Sequence, residues 1–228
     1  MVGASVALAA GGASRVVRIS SPGGYAEYPA LAVDAQGDQT VAWTNYVATD
    51  PAQFSVQTST RLAGSDSWSA PRTVSGVSEE NGPAVVLARS GAGVIAWVET
   101  VDKGRKSVLQ AATRPSASAV WTRPVTISAP ADGVYGVALG IDRGGEATIV
   151  WNDGFATNPS IETNTVSAFT GRWAQPHTLA AAGDGGSGPQ LAVNSRGDAL
   201  VTWQRQVSQT NHRNSEPTLH YAQLAAYR

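Results

Sequence analysis

The sequence predicts an all-β fold, a small β-propeller of four four-stranded blades, on three observations. Four segments repeat without gaps, all seven tryptophans fall at two positions of that repeat, and the chain is rich in turn residues, with 24 Gly and 12 Pro. A period of this size marks an array or a propeller, because one unit cannot bury its own apolar face and must stack on its neighbours.

The repeat is clearest at its first hairpin. PALAVDAQGDQTVAW (Pro29 to Trp43), PAVVLARSGAGVIAW (Pro83 to Trp97), VALGIDRGGEATIVW (Val137 to Trp151) and PQLAVNSRGDALVTW (Pro189 to Trp203) end on Trp residues spaced 54, 54 and 52 apart. Each is a strand, a turn with Gly37, Gly91, Gly145 or Gly197 at a fixed place, and a second strand; Gly there supplies the positive φ of a tight hairpin.

Third strands follow at Ser55 to Leu62, Ser107 to Arg114, Ser160 to Phe169 and Thr218 to Tyr227. Fourth strands follow in the first three units as WSAPRTVS from Trp68, WTRPVTIS from Trp121 and WAQPHTLA from Trp173. Their fixed Pro suits an edge strand, where a missing donor does no harm. A Trp confined to two register points is a packing signature, each ring filling the same inter-unit space.

The last unit lacks a fourth strand, and ASRVVRIS (Ala13 to Ser20) matches the missing element. The expectation is a ring closed by this N-terminal strand lying beside Thr218 to Tyr227, which hides edges that would otherwise pair with another chain. Residues 1–12 are then an extension or extra strand and 13–228 one domain. Its blades span about 21–75, 76–128, 129–180, and 181–228 plus 13–20. SVALAAGG (Ser5 to Gly12) resembles a third strand and is read as surplus, the alternatives being a cut from a longer array or pairing with another protomer. Met1 to Ser14 has the small residues and short apolar run of an export signal without its basic start.

Composition excludes several partners. A net charge of −1 lacks the basic footprint that phosphate neutralisation requires, so no nucleic acid is expected. No apolar run reaches the length of a membrane span. With no Cys there is no disulfide, thiolate metal site or Cys nucleophile. His177, His212 and His220 are not at metal-ligand spacing, so neither a metal nor another cofactor is expected. Arg outnumbers Lys 14 to 2, as in proteins of high-GC bacteria, and a secreted or extracellular bacterial setting is expected.

An apolar strand, an Asp-x-x-Gly hairpin, a strand ending in Trp, a third strand and then Trp-Ser-x-Pro together resemble the sialidase-type (BNR, Asp-box) repeats of bacterial propeller proteins. VDAQGDQTVAW and SDSWSAPRTVS are the clearest copies. The Asp box itself is degenerate, since Arg61, Ala63 and Ser65 stand seven, five and three residues before Trp68. The resemblance implies six blades, three Arg gripping a carboxylate, a Tyr nucleophile polarised by Glu, and an Asp acid. Here there are four units, and Arg72, Arg89, Arg123, Arg143, Arg172 and Arg196 recur at hairpins and fourth strands, away from the expected site. The resemblance therefore implies fold and not activity.

In a propeller, loops entering the first strand share a face with loops joining the second strand to the third. That face varies between units while the opposite hairpins stay alike, which suits binding on a constant frame. It gathers Tyr28, Asn45, Tyr46, Glu80, Asn81, Glu99, Tyr135, Asn152, Asp153, Gln204 and Arg205. Rings beside carboxamides and carboxylates suit sugars, whose apolar faces stack while hydroxyls take paired hydrogen bonds. The leading expectation is a non-catalytic binding module of lectin-like type, taking a glycan or protein ligand, as monomer or oligomer. No motif assigns catalysis, and the balance lies against an enzyme. The alternatives are a glycoside hydrolase, which needs two carboxyl groups about 5 to 10 Å apart, and a purely structural scaffold.

Overall fold

The computed structural model describes residues 5–7, 16–49, 52–75, 80–155, 159–207 and 218–227, with side chains for these except 5–7, 80, 81, 206, 207 and 218–227. The described chain is β throughout, apart from a 3-10 turn at Asp102–Gly104. A hairpin of β1 (Ser5–Ala7) and β2 (Val16–Arg18) leads into the first unit, β3 (Tyr25–Val33), β4 (Gln39–Val47), β5 (Gln53–Arg61) and β6 (Arg72–Thr73). The second unit is β7 (Glu80–Leu87), β8 (Gly93–Val101), β9 (Lys106–Arg114) and β10 (Val125–Thr126). The third is β11 (Val134–Ile141), β12 (Glu146–Asp153), β13 (Ser160–Ser167) and β14 (His177–Ala180). The fourth is β15 (Ser187–Val193), β16 (Ala199–Val207) and β17 (Thr218–Tyr227).

Every sheet is an antiparallel meander in chain order, the anatomy of a propeller blade. The first strands stand side by side, β3 against β7, β7 against β11 and β11 against β15. The sheets are thus arranged with their first strands innermost.

Each first hairpin turns on its fixed glycine, with φ of 91° at Gly37, 79° at Gly91, 81° at Gly145 and 90° at Gly197. In three units a side chain also ties the turn. Asp34 Oδ1 accepts from the Gln36 and Asp38 amides, Asp142 Oδ1 from the Glu146 amide, and Asn194 Oδ1 from those of Arg196 and Asp198. These are Asx turns, which offer the chain a local hydrogen bond where the ladder stops.

The core lies between blades rather than within them, since a sheet buries its faces only against its neighbours. Trp97 packs with Ala42, Val56 and Val74 of the first blade, and Trp151 with Ala96, Val98 and Leu109 of the second. Trp203 packs with Val150 and Ile161 of the third, while Trp43 meets Ile19 and Val17 from the N-terminal segment. The other three Trp are partly buried at the same seams, Trp68, Trp121 and Trp173 each lying against one of these clusters.

Short fourth strands are held by side chains as much as by ladder bonds. The amide of Val56 donates to Ser75 Oγ at 2.8 Å and that of Leu109 to Ser128 Oγ at 2.9 Å, both just past the fixed Pro.

The expected closure differs from what the described strands do. Val16–Arg18 pairs with Ser5–Ala7, in the register Ser5↔Arg18 and Ala7↔Val16, and among the described residues β17 pairs with β16 alone. Among the described residues no packing like that of β3 on β7 joins β15 to β3. Ala13, Ser14 and Arg15 of the expected closing strand lie outside the described residues, as do Leu8 to Gly12. The physical reason is local: a partner a few residues away costs far less loop entropy than one at the far end of the chain. Val17 and Ile19 moreover find cover on the first blade.

Candidate functional site

Each first strand carries a β-bulge at one register, between Glu27 and Ala30, Asn81 and Ala84, Tyr135 and Ala138, and Ser187 and Gln190. A bulge bends the strand and re-aims the side chains beside it. It separates the inter-blade core from a rim formed by the starts of the first strands and the ends of the second, where Tyr25 pairs with Tyr46, Glu80 with Glu99, Tyr135 with Asn152 and Ser187 with Gln204.

On the first blade, Tyr46 sits between Tyr25 and Phe54, with centroid distances of 5.6 and 4.9 Å. This aromatic ladder runs across three strands because the three residues share one register row. Tyr28 stands at the bulge, 62% exposed, with φ of 51°. Asn45 is buried, and a Cβ on Gly24 would meet its Oδ1 at 2.7 Å. Its amide therefore packs under the loop leading into β3.

On the second blade, Glu99 is half-buried at the end of β8 and paired with Glu80. The side chains of Glu80 and Asn81 lie outside the described residues, as does Glu79.

On the third blade, Tyr135 stacks on Phe155 at 5.6 Å with an interplanar angle of 16°. Burial pushes the Tyr135 phenol above its ordinary pKa. Asn152 is fully buried, and its Nδ2 donates to the carbonyl of Gly186. That bond ties the third blade to the loop entering the fourth, so the amide serves the frame.

Asp153, the next residue of β12, is half-buried, and its carboxyl is pushed up by burial first and by the nearby Glu162 carboxylate second. Trp151 pairs with Glu162 and Asp153 with Ser160, which puts both carboxylates on the same face of the sheet. Both oxygens of Glu162 accept from Thr178 Oγ1 at 3.0 Å.

On the fourth blade, Arg205 is paired with Asp184 at 3.0 Å and Gln204 is half-buried. The residues two past the Trp of each second strand are thus Asn45, Glu99, Asp153 and Arg205, four different polar groups over one repeated core.

Three participants escape the sequence reading. Phe155, 70% exposed, sits in a variable loop where an aromatic carries no register signal. Glu162 looks like an ordinary polar residue of a third strand. Arg114, only 2% exposed, ends β9 and joins two blades through contacts far apart in sequence.

Among the described residues no three His, Cys, Asp or Glu side chains cluster as metal ligands, and no helix is long and apolar enough to cross a membrane.

No protein-family model and no curated protein sequence matches the chain. Solved structures do. An α-L-arabinanase of Penicillium chrysogenum, complexed with arabinobiose, superposes with a TM-score of 0.57 and 13% identity over 87% of this chain and 62% of that one. A protein of unknown function from Dyadobacter fermentans gives 0.57 and 12% over 85% and 61%. The family 93 α-L-arabinofuranosidase of Fusarium graminearum, also with arabinobiose, gives 0.55 and 11% over 90% and 65%. The chain thus spans less than two thirds of each of these structures.

The likeness is one of fold. It supports the propeller class, without singling out the sialidase-type subdivision that the repeat motif resembles. It also corrects the expectation of a non-catalytic binding module. The two functionally named structures are glycoside hydrolases and not binding modules.

Proposed function

We propose that this chain carries a glycoside hydrolase site for neutral, arabinan-type glycans on its variable face, with Asp153 as the proton donor. The observation that carries the reading is the Asp153–Glu162 pair: two carboxyl groups on one sheet face, close enough for Glu162 to hold the Asp153 proton more firmly. A carboxyl whose environment holds its proton more firmly is the one suited to act as the acid.

Asp153 donates its proton to the glycosidic oxygen as the bond from that oxygen to the anomeric carbon breaks. Glu162, held by Thr178, takes a proton from the water whose oxygen bonds to the same carbon, so hydroxyl and proton are both delivered and the charges balance. The stacked Tyr135 and Phe155 at the rim of the same blade offer an apolar surface to the sugar. The hydrolase identity of the fold neighbours supports the same reading. An exported bacterial protein is the setting such an activity fits, and the sialidase-type repeat motif is compatible with it.

Release of reducing sugar from arabinan, arabinobiose and a panel of aryl glycosides tests the proposal. Asp153→Asn and Glu162→Gln are each expected to lower kcat by about 100-fold or more, the usual worth of a positioned acid or base. No turnover by the unmodified chain, or full activity in Asp153→Asn, would overturn it.

A further inference from the structure

The same bulge register holds Tyr28 in the first blade, Gly82 in the second, Gly136 in the third and Gly188 in the fourth. Gly136 and Gly188 have φ of 63°, and Tyr28 has φ of 51°. Left-handed backbone is steric strain for any residue with a Cβ, and a bulky one rarely adopts it. Gly82 lies outside the left-handed region, so glycine is the solution of the third and fourth blades to this conformation, and tyrosine in the first is the departure from it.

Packing does not account for the departure. The Tyr28 side chain is 62% exposed, so the strain is not offset by burying the ring. Its Cβ stands over Gly82, where an added Cβ would come within 2.5 Å, so a side chain on the second blade at this place would collide with it. Gly82 thus leaves the room that the Tyr28 side chain takes. The position is on an innermost strand, at the rim formed by Tyr25, Tyr46 and Glu99.

From these observations we infer that Tyr28 is the platform on which a sugar ring of the bound glycan stacks, a substrate-contacting and specificity-determining residue. The inference rests on the glycoside-hydrolase reading for its ligand class. Backbone strain that local packing does not repay is kept where a function uses it. A flat, exposed phenol meets the apolar face of a neutral sugar and leaves its hydroxyls to the polar rim.

The test separates this role from a structural one, because the two predict opposite effects on stability. Tyr28→Gly restores the residue of the other three blades and removes the strain. The thermal midpoint should stay or rise by about 2 °C. In native gels containing arabinan, the unmodified chain should be retarded. The Tyr28→Gly variant should lose most of that retardation, a weakening of about tenfold, while Tyr28→Phe keeps the ring and stays within about twofold, the scale expected of a single stacking contact.

Hydrolysis of arabinan is measured on the same proteins. Retardation that depends on Tyr28 without any turnover would leave the stacking role standing and overturn the hydrolase reading. Equal retardation of the unmodified chain and Tyr28→Gly, a lowered thermal midpoint in Tyr28→Gly, or no retardation of the unmodified chain in arabinan would each overturn the stacking role.

Discussion

The guanidinium of Arg114 lies 4.6 Å from the ring centroid of Trp121, and both side chains of the second blade donate to threonines of the first. Arg114 bonds Thr60 Oγ1 at 2.9 Å and Thr40 Oγ1 at 2.5 Å, and Trp121 Nε1 bonds Thr58 Oγ1 at 3.1 Å. Burial lowers the Arg114 pKa to about 10, against the pull of Asp38 and Asp34. The residue is still a cation at neutral pH, sandwiched between an indole and two hydroxyls at the floor of a cleft of about 210 Å³.

Truncating this clasp should loosen the first seam. Arg114→Ala removes two charge-assisted hydrogen bonds and leaves a void. It is expected to cost about 3 kcal/mol in urea unfolding. Arg114→Met fills the space without a charge to desolvate and should recover most of that loss. An Arg114→Met variant as unstable as Arg114→Ala would show that the bonds, and not the packing, hold the seam.

The interior tryptophans test where the core lies. Trp97 is fully buried between the first and second blades, so Trp97→Ala should cost about 3–5 kcal/mol by chemical denaturation. Trp68 is only partly buried at its seam, and Trp68→Ala should cost distinctly less.

Two glycines at one register separate strain from collision. Gly136 and Gly188 share a φ of 63°. A Cβ on Gly136 would stand 2.7 Å from Asn152 Oδ1 and 2.9 Å from Pro189 Cδ, while one on Gly188 would meet nothing within 4 Å. Gly188→Ala should cost about 1 kcal/mol from backbone strain alone. Gly136→Ala should cost more, because it also pushes on a buried amide and the next blade. Calorimetry on the pair gives the difference directly.

Asp153 makes stability depend on pH. Its folded pKa is raised, so the folded chain holds that proton more tightly than the unfolded chain does. Its contribution is full below the ordinary Asp value of about 4 and is lost as pH rises through the raised folded value. Asp153→Asn should therefore be the more stable protein at pH 7, with the advantage fading below about pH 4. Thermal midpoints of both proteins from about pH 3 to 8 check this, with loss of activity alongside the gain in stability marking a functional carboxyl.

The rim explains why some polar residues of the variable loops are framework. Asn45 and Asn152 look like ligand contacts in sequence, since each follows a core Trp by one or two positions next to a variable loop. In the fold the loop leading into a first strand closes over each of them, and their amides meet Gly24 and Gly186. Tyr28 and Asp153 stand free enough of those loops to reach solvent, whereas Arg205 is held to the loop entering the fourth blade through Asp184.

The repeat, the strand order within each unit, the glycine hairpins and the tryptophan seams are legible in the amino-acid order. All of these are local or recur at a fixed period, so each unit states them again and any one copy can be checked against the others. The pairing of Val16–Arg18 with Ser5–Ala7, the Arg114 clasp, the Asp153–Glu162 pair and the left-handed backbone of Tyr28 emerge from the folded chain instead. Each of these occurs once and depends on which surfaces meet, and on which of them a neighbouring strand or loop leaves uncovered. A period in the sequence predicts the frame that repeats; the departures from it acquire their meaning from the contacts around them.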